Sequence, residues 1–207
     1  MKNYSYIGIS FIILIFGIWV VHTITERNKA TDFYVSGQIP DFSFTNQYGK
    51  EITNSHFAGK VYVVEFFFTT CPSICPIMND NMKKVESALR GKLNFGIASI
   101  TINPENDTPE VLKAYAEKYQ VTHPNWHFLT GNREDIYQLA NQGFKLYTAS
   151  DAEAPGGFEH SGLFALIDQK GNIVSRYDAA GNPIYYYDGL NDEQVQWLIT
   201  DIKSMLK

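Results

Sequence analysis

Residues 61–76 read VYVVEFFFTTCPSICP, and the fold turns on this stretch. From Val61 to Phe68 every residue but Glu65 is β-branched or aromatic. A run of that kind predicts a strand covered on both faces, at the centre of a sheet. The strand leads straight to Cys71 and Cys75, the only two cysteines of the chain. Each precedes a proline, which pushes it toward extended backbone and predicts that neither lies within a regular helix. Pro76 suits the first position of a helix, which makes Cys75 its N-cap. Both sulfurs then face a helix N-terminus, whose partial positive charge predicts an accessible thiolate near neutral pH. Thiolates attack disulfides and bind soft metals.

Downstream, Met78, Met82, Val85 and Leu89 recur at helical spacing, and Gly91 follows as a stop. That spacing assigns both methionines to core packing rather than to thioether ligation. Residues 94–100 read as a second strand, and Thr108-Pro109-Glu110 opens a helix reaching Lys118. A third strand covers Trp126 to Leu129, and a helix follows over 133–142. Leu163 to Asp168 and Ile173 to Tyr177 flank Gln169-Lys170-Gly171-Asn172, a β-hairpin, and a last helix runs from Asp192 to Leu206. Before the central strand, Phe42 and Phe44 alternate with polar residues and predict a short strand. The order predicts the α/β class, a central mixed sheet flanked by helices.

The chain has 207 residues, enough for one ordinary domain with a self-sufficient core. With 17 Lys+Arg against 22 Asp+Glu the net charge is −5, and the absence of a basic run excludes nucleic acid as a partner. At the N-terminus, residues 6–21 (YIGISFIILIFGIWVV) carry no charge. They predict a membrane anchor over 1–22, a transmembrane helix left uncleaved, because the following HTITERNKATD offers no small-residue cleavage site. No cysteine follows the apolar run, which excludes lipoprotein processing. Residues 23–38 read as a polar tether and 39–207 as the domain. A short tail before the span and a long domain after it predict a single-pass protein of the inner membrane, its domain on the periplasmic or extracytoplasmic side. There a close cysteine pair can be oxidised.

A strand that feeds a cysteine pair at a helix N-terminus, with a late hairpin and a closing helix, resembles the thioredoxin-like fold. Thioredoxins carry two residues between the cysteines and this chain carries three. FFFTTCPSICPIM, INPENDTPE at 102–110 and EHSGLFALID at 159–168 together resemble the Sco/SenC family of membrane-anchored copper chaperones. The resemblance covers residues 38–207 and implies copper, Cu(I) or Cu(II), bound by Cys71, Cys75 and His160. It implies delivery of that copper to the binuclear copper site of cytochrome c oxidase, so the partner is the oxidase's copper-binding subunit or another cuproprotein. Two thiolates and an imidazole suit copper, whereas structural zinc asks for four ligands. Asn103 stands where the family has an aspartate, while Asp107 of the same motif is retained.

The cysteine pair also supports an enzymatic alternative, a thiol-disulfide reductase in which Cys71 attacks an oxidised target and Cys75 resolves the mixed disulfide. A reductase has no need of His160, and a copper site does. A reversible Cys71–Cys75 disulfide serves both readings. A peroxiredoxin-like peroxidase has only Thr70 in its favour, since no arginine lies near in sequence. His123 and His127 read as ordinary loop and strand residues, and Tyr185-Tyr186-Tyr187 as a half-buried strand. Glu65, six residues before Cys71, reads as a buried acid placed to accept a proton from the thiols.

Overall fold

The computed structural model describes residues 5–27, 33–150 and 158–206, with side chains at 10–21, 33–149, 158 and 161–206. The chain forms two units, Met1–Asp32 and Phe33–Lys207. The first contains helix α1 (Ser5–Arg27), whose described side chains are apolar apart from Ser10 and almost all exposed. Among the described residues no helix is long and apolar enough to cross a membrane, so the structure does not support the transmembrane helix that the sequence predicts. The charge-free run of sixteen residues rises about 24 Å by itself, against a hydrocarbon core of about 30 Å.

The second unit is built around β4 (Val61–Phe67), every residue of which is buried. β4 pairs in parallel with β5 (Phe95–Thr101), and β5 with β6 (Trp126–Thr130). On the other side β4 pairs antiparallel with β9 (Leu163–Ile167), and β9 with β10 (Asn172–Ser175), closing the predicted hairpin. β2 (Ser43–Asn46) joins β6 and β3 (Glu51–Thr53), and β11 (Tyr187–Asp188) adds to β9. The helices α2 (Ile74–Ala88), α3 (Pro109–Lys118), α4 (Arg133–Gln138) and α5 (Asp192–Met205) supply the covering layers. α2 packs against α5, and α3 against β6. The α/β class and the mixed sheet flanked by helices therefore match the sequence reading.

Four features differ from that reading. The tether predicted over 23–38 gives way at Tyr34 to strand β1 (Tyr34–Gln38), which pairs with β10. β1 is a solvated edge strand, so its polar composition reads as a linker. Helix α2 starts at Ile74 with Ser73 as N-cap, which places Cys75 inside the first turn and not at the cap. Pro76 is accommodated because the first-turn N–H groups have no intrahelical partner to lose. The helix predicted over 133–142 is regular only to Gln138 and then widens into a π turn over Leu139–Gly143. Finally, β7 (Thr148–Ser150) and β8 (Phe158–His160) form a separate two-stranded sheet that the sequence pattern does not reveal.

Met78 and Met82 are fully buried on α2 beside Val85 and Leu89. Met82→Ala should cost about 2–5 kcal/mol in urea unfolding, the range for truncating a buried side chain of this size. Its copper affinity should equal that of wild type once the protein is folded. A loss of affinity in the folded variant would instead make the thioether a ligand.

Candidate functional site

β4 and β5 run parallel, so their C-terminal ends emerge side by side and place two loops together. The first loop carries Thr69 to Ser73, and the second carries Asn103 to Asp107. Asp107 is fully buried between them. Its carboxylate accepts hydrogen bonds from the Thr69 backbone N–H (3.0 Å), the Thr69 and Thr101 hydroxyls and the Asn106 side-chain amide (2.7 Å). Four donors offset the desolvation of one carboxylate and fix the approach to Cys71. Asn103 contributes its main chain: its carbonyl accepts from the N–H groups of Asn106 (3.1 Å) and Asp107 (2.9 Å).

Cys71 is 8% exposed and Cys75 is fully buried, and both are thiols rather than a cystine. The two side chains are hydrogen-bonded to each other, and this contact, followed by burial, raises the Cys75 pKa. A backbone hydrogen bond from Phe68 opposes the rise, and the nearby Glu65 adds to it. The activated thiolate predicted from the helix N-terminus is therefore not Cys75. Inside the first turn, loss of solvent and the neighbouring sulfur outweigh the helix dipole.

Beneath the pair lies a buried polar chain. Trp126 donates from its indole N–H to the Ser99 hydroxyl (2.9 Å), and Ser99 donates to Glu65 Oε1 (2.5 Å). Glu65 and Ser99 are register partners across β4 and β5. The second oxygen, Glu65 Oε2, is buried without a hydrogen-bond partner. Burial is the main cause that pushes the Glu65 carboxyl up to about 7, with the Ser99 hydrogen bond working against it. Asn79, one helical turn after Cys75, donates to the Cys75 carbonyl (2.8 Å) and to the Tyr115 hydroxyl (3.0 Å). A polar residue set between Met78 and Met82 on a buried helix face is a signal the sequence offers for such a role.

His160 closes β8, opposite Thr148 of β7, and its side chain lies outside the described residues. Among the described residues no group of three His, Cys, Asp or Glu side chains gathers to hold a metal. What the structure brings together is the cysteine loop and the strand that bears the histidine. Phe158, two residues before His160, packs its ring 5.1 Å from that of Phe68, three residues before Cys71. Arg133 stacks over Phe158 at 5.7 Å. His123 and His127 lie elsewhere: His123 accompanies Glu86 and Lys92, and His127 accompanies Asn46 and Phe57. Burial lowers both their pKa values, that of His127 to about 4. They read as structural residues, as the sequence suggests.

A family model described as SCO1/SenC matches residues 35–193. The SCO1 protein homolog of Bacillus subtilis is 31% identical over 169 residues, spanning 81% of this chain and 82% of that protein. Among solved structures, one is of BsSco, described as a member of the Sco family of cytochrome c oxidase assembly proteins with a disulfide switch. It superposes with a TM-score of 0.71 at 28% identity, covering 86% of this chain and 98% of that one. Bradyrhizobium japonicum ScoI with copper bound has a TM-score of 0.61 at 25% identity, covering 80% and 98%.

The raised Glu65 pKa has a measurable sign. A carboxyl that holds its proton more tightly when folded stabilises the protein fully below its ordinary 4.5, and that contribution is lost as pH rises through about 7. The loss amounts to about 3 kcal/mol. Glu65→Gln keeps an acceptor for Ser99 and removes the titration. Urea unfolding at pH 5 and pH 8 should therefore show the variant gaining up to about 3 kcal/mol relative to wild type at the higher pH. An identical difference at both pH values would place the Glu65 pKa in the ordinary range.

Proposed function

The chain belongs to the SCO1/SenC family, and from that premise we propose that it is a copper chaperone holding its cargo between Cys71, Cys75 and His160. One observation carries the reading: two hydrogen-bonded thiols sit on the locked loop and the first turn of α2, and the strand that bears His160 is tied to the start of that loop through Phe158 and Phe68. The donor set of two sulfurs and one imidazole suits Cu(I) and also serves Cu(II). A relative whose structure holds copper supports the choice of metal. The receiving protein is the copper-binding subunit of cytochrome c oxidase or another cuproprotein, in keeping with the oxidase-assembly description of BsSco. Residues 6–21 anchor the chain to the inner membrane in a single pass, with the domain on the periplasmic or extracytoplasmic side. The charge-free run supports the anchor, extended at its ends by Tyr4, Ser5 and His22.

The unequal burial of the thiols favours a second reading, thiol-disulfide reduction. The thiolate of Cys71, the less buried of the two cysteines, attacks one sulfur of a target disulfide and expels the other as a thiolate. Cys75 then loses its proton and attacks Cys71 within the mixed disulfide. The second target thiolate leaves, and the oxidised Cys71–Cys75 pair remains. Two electrons pass to the target, and the same disulfide removes both thiolates from the copper site. The oxidised chain should thus bind no copper, and mass spectrometry showing full loading with the disulfide intact would contradict this.

His160→Ala separates the readings. In the folded, full-length variant Cu(II) affinity should fall more than about a hundredfold, beyond the loss usual for residues that only support a ligand. Cu(I) affinity should fall less, because two thiolates remain. The reaction of the thiols with a small disulfide should keep its rate. Wild-type affinities for both copper states would remove His160 from the site and leave the reductase reading.

A further inference from the structure

The histidine-bearing hairpin is fastened to the body of the domain at one unusual point. β7 and β8 pair only with each other among the described strands, so no main-sheet ladder holds β7, and β8 meets the main sheet only where the chain continues into β9. At the other end of the pair, Thr148 gives both of its main-chain groups to a single side chain. Its N–H donates to Asn141 Oδ1 (2.8 Å), and its carbonyl accepts from Asn141 Nδ2 (3.0 Å). Thr148 is the register partner of His160. One amide thus supplies to β7 the pairing that a neighbouring strand would give.

The chain goes to some length to present that amide. Asn141 sits in the π turn, where Phe144 N–H reaches back to the Leu139 carbonyl (3.0 Å) and Leu146 N–H to that of Ala140 (2.9 Å). Lys145 follows with a φ of 54°, a conformation costly for a residue with a side chain. Helix widenings of this kind concentrate at functional positions. Asn141 is itself exposed, so packing does not account for it.

We infer that Asn141 is a positioning residue: through its paired hydrogen bonds to Thr148 it sets where the hairpin presents His160 to the cysteine pair. The inference rests on His160 being a copper ligand, as proposed above. The described hydrogen bonds of Asn141 go to Thr148 and to neither thiol. Its removal should loosen the third ligand and leave the other two as they are.

The test is a double-mutant cycle in the full-length chain with Asn141→Ala, His160→Ala and both together, probed with Cu(II) alone and Cu(I) alone. Asn141→Ala should weaken Cu(II) binding about tenfold or more and reduce the nitrogen hyperfine coupling in the electron paramagnetic resonance of bound Cu(II). The variant should stay folded, melting some degrees lower because buried Thr148 loses two hydrogen bonds, and the thiol reactivity should stay near wild type. Asn141→Gln, which keeps both donor and acceptor on a longer arm, should recover part of the loss. In the His160→Ala background Asn141→Ala should have no further effect, because its route to the metal is gone. Wild-type Cu(II) affinity in Asn141→Ala, with His160→Ala impaired, overturns the inference and leaves the ligand reading intact. Equal losses from Asn141→Ala with and without His160 also overturn it, since Asn141 would then act elsewhere. An unimpaired His160→Ala removes the ligand reading, and the inference with it.

Discussion

The cysteine loop depends on one buried carboxylate. Asp107 takes hydrogen bonds from Thr69, Thr101 and Asn106, and these three residues belong to the exits of β4 and β5. Parallel pairing alone brings the two exits together but does not fix the loops that leave them. An unsatisfied charge at full burial costs several kcal/mol, so the conformation in which all four donors converge is strongly favoured over its neighbours. Cys71 follows Thr69 by two residues and inherits that order. Its own N–H closes the turn onto the Phe68 carbonyl (3.2 Å).

How far the sequence can be read follows from the range of each interaction. β4, β5, β6 and the β9–β10 hairpin are legible because their residues face a core or a tight turn, and both leave a local pattern. α3 and α5 are legible from their caps: Thr108 and Asn191 each accept a first-turn N–H, as their residue types foretell. β1 is not, because a solvated edge strand is held by its partner and carries no apolar period of its own. The β7–β8 sheet is hidden for a related reason, since an amide seven residues upstream in sequence completes it. Of the candidate site, the two cysteines and the acid below them announce themselves by type and spacing. His160 becomes conspicuous only through the family resemblance. The burial that reverses the expected acidity of Cys75 is tertiary and leaves no trace in the local sequence.

The polar chain under the cysteines is a local conflict in an otherwise apolar strand. Glu65 sits in the most hydrophobic segment of the domain with one oxygen unpartnered, and Asn79 leaves its Oδ1 without a partner on the helix above. Each costs stability that a leucine would not. Glu65 gains a hydrogen bond from Ser99, its register partner across the two strands, and Ser99 is in turn held by Trp126. A negative charge on Glu65 raises the pKa of Cys75, and so the state of one group is felt by the other. The core beneath the site is thus coupled electrostatically to the thiols while being separated from solvent.

A chaperone must hold its cargo against loss to water and still surrender it to a partner, and the two demands fall on different elements here. Cys71 and Cys75 belong to a loop and helix continuous with the main sheet, locked by Asp107 and packed on the core. His160 belongs to a two-stranded unit attached by the amide pair at Thr148, by the contacts of the Phe158 ring with Phe68 and Arg133, and by Gly162, whose carbonyl accepts from the Gly189 N–H (2.7 Å) just before β9. Ligand exchange proceeds by opening one coordination position at a time, and the position easiest to open is the one whose support is least cooperative with the rest of the fold. On the copper reading that position is the histidine. On that reading the two sulfurs would keep hold of the metal while an incoming ligand took the imidazole's place, and the fold would not need to open for the cargo to leave.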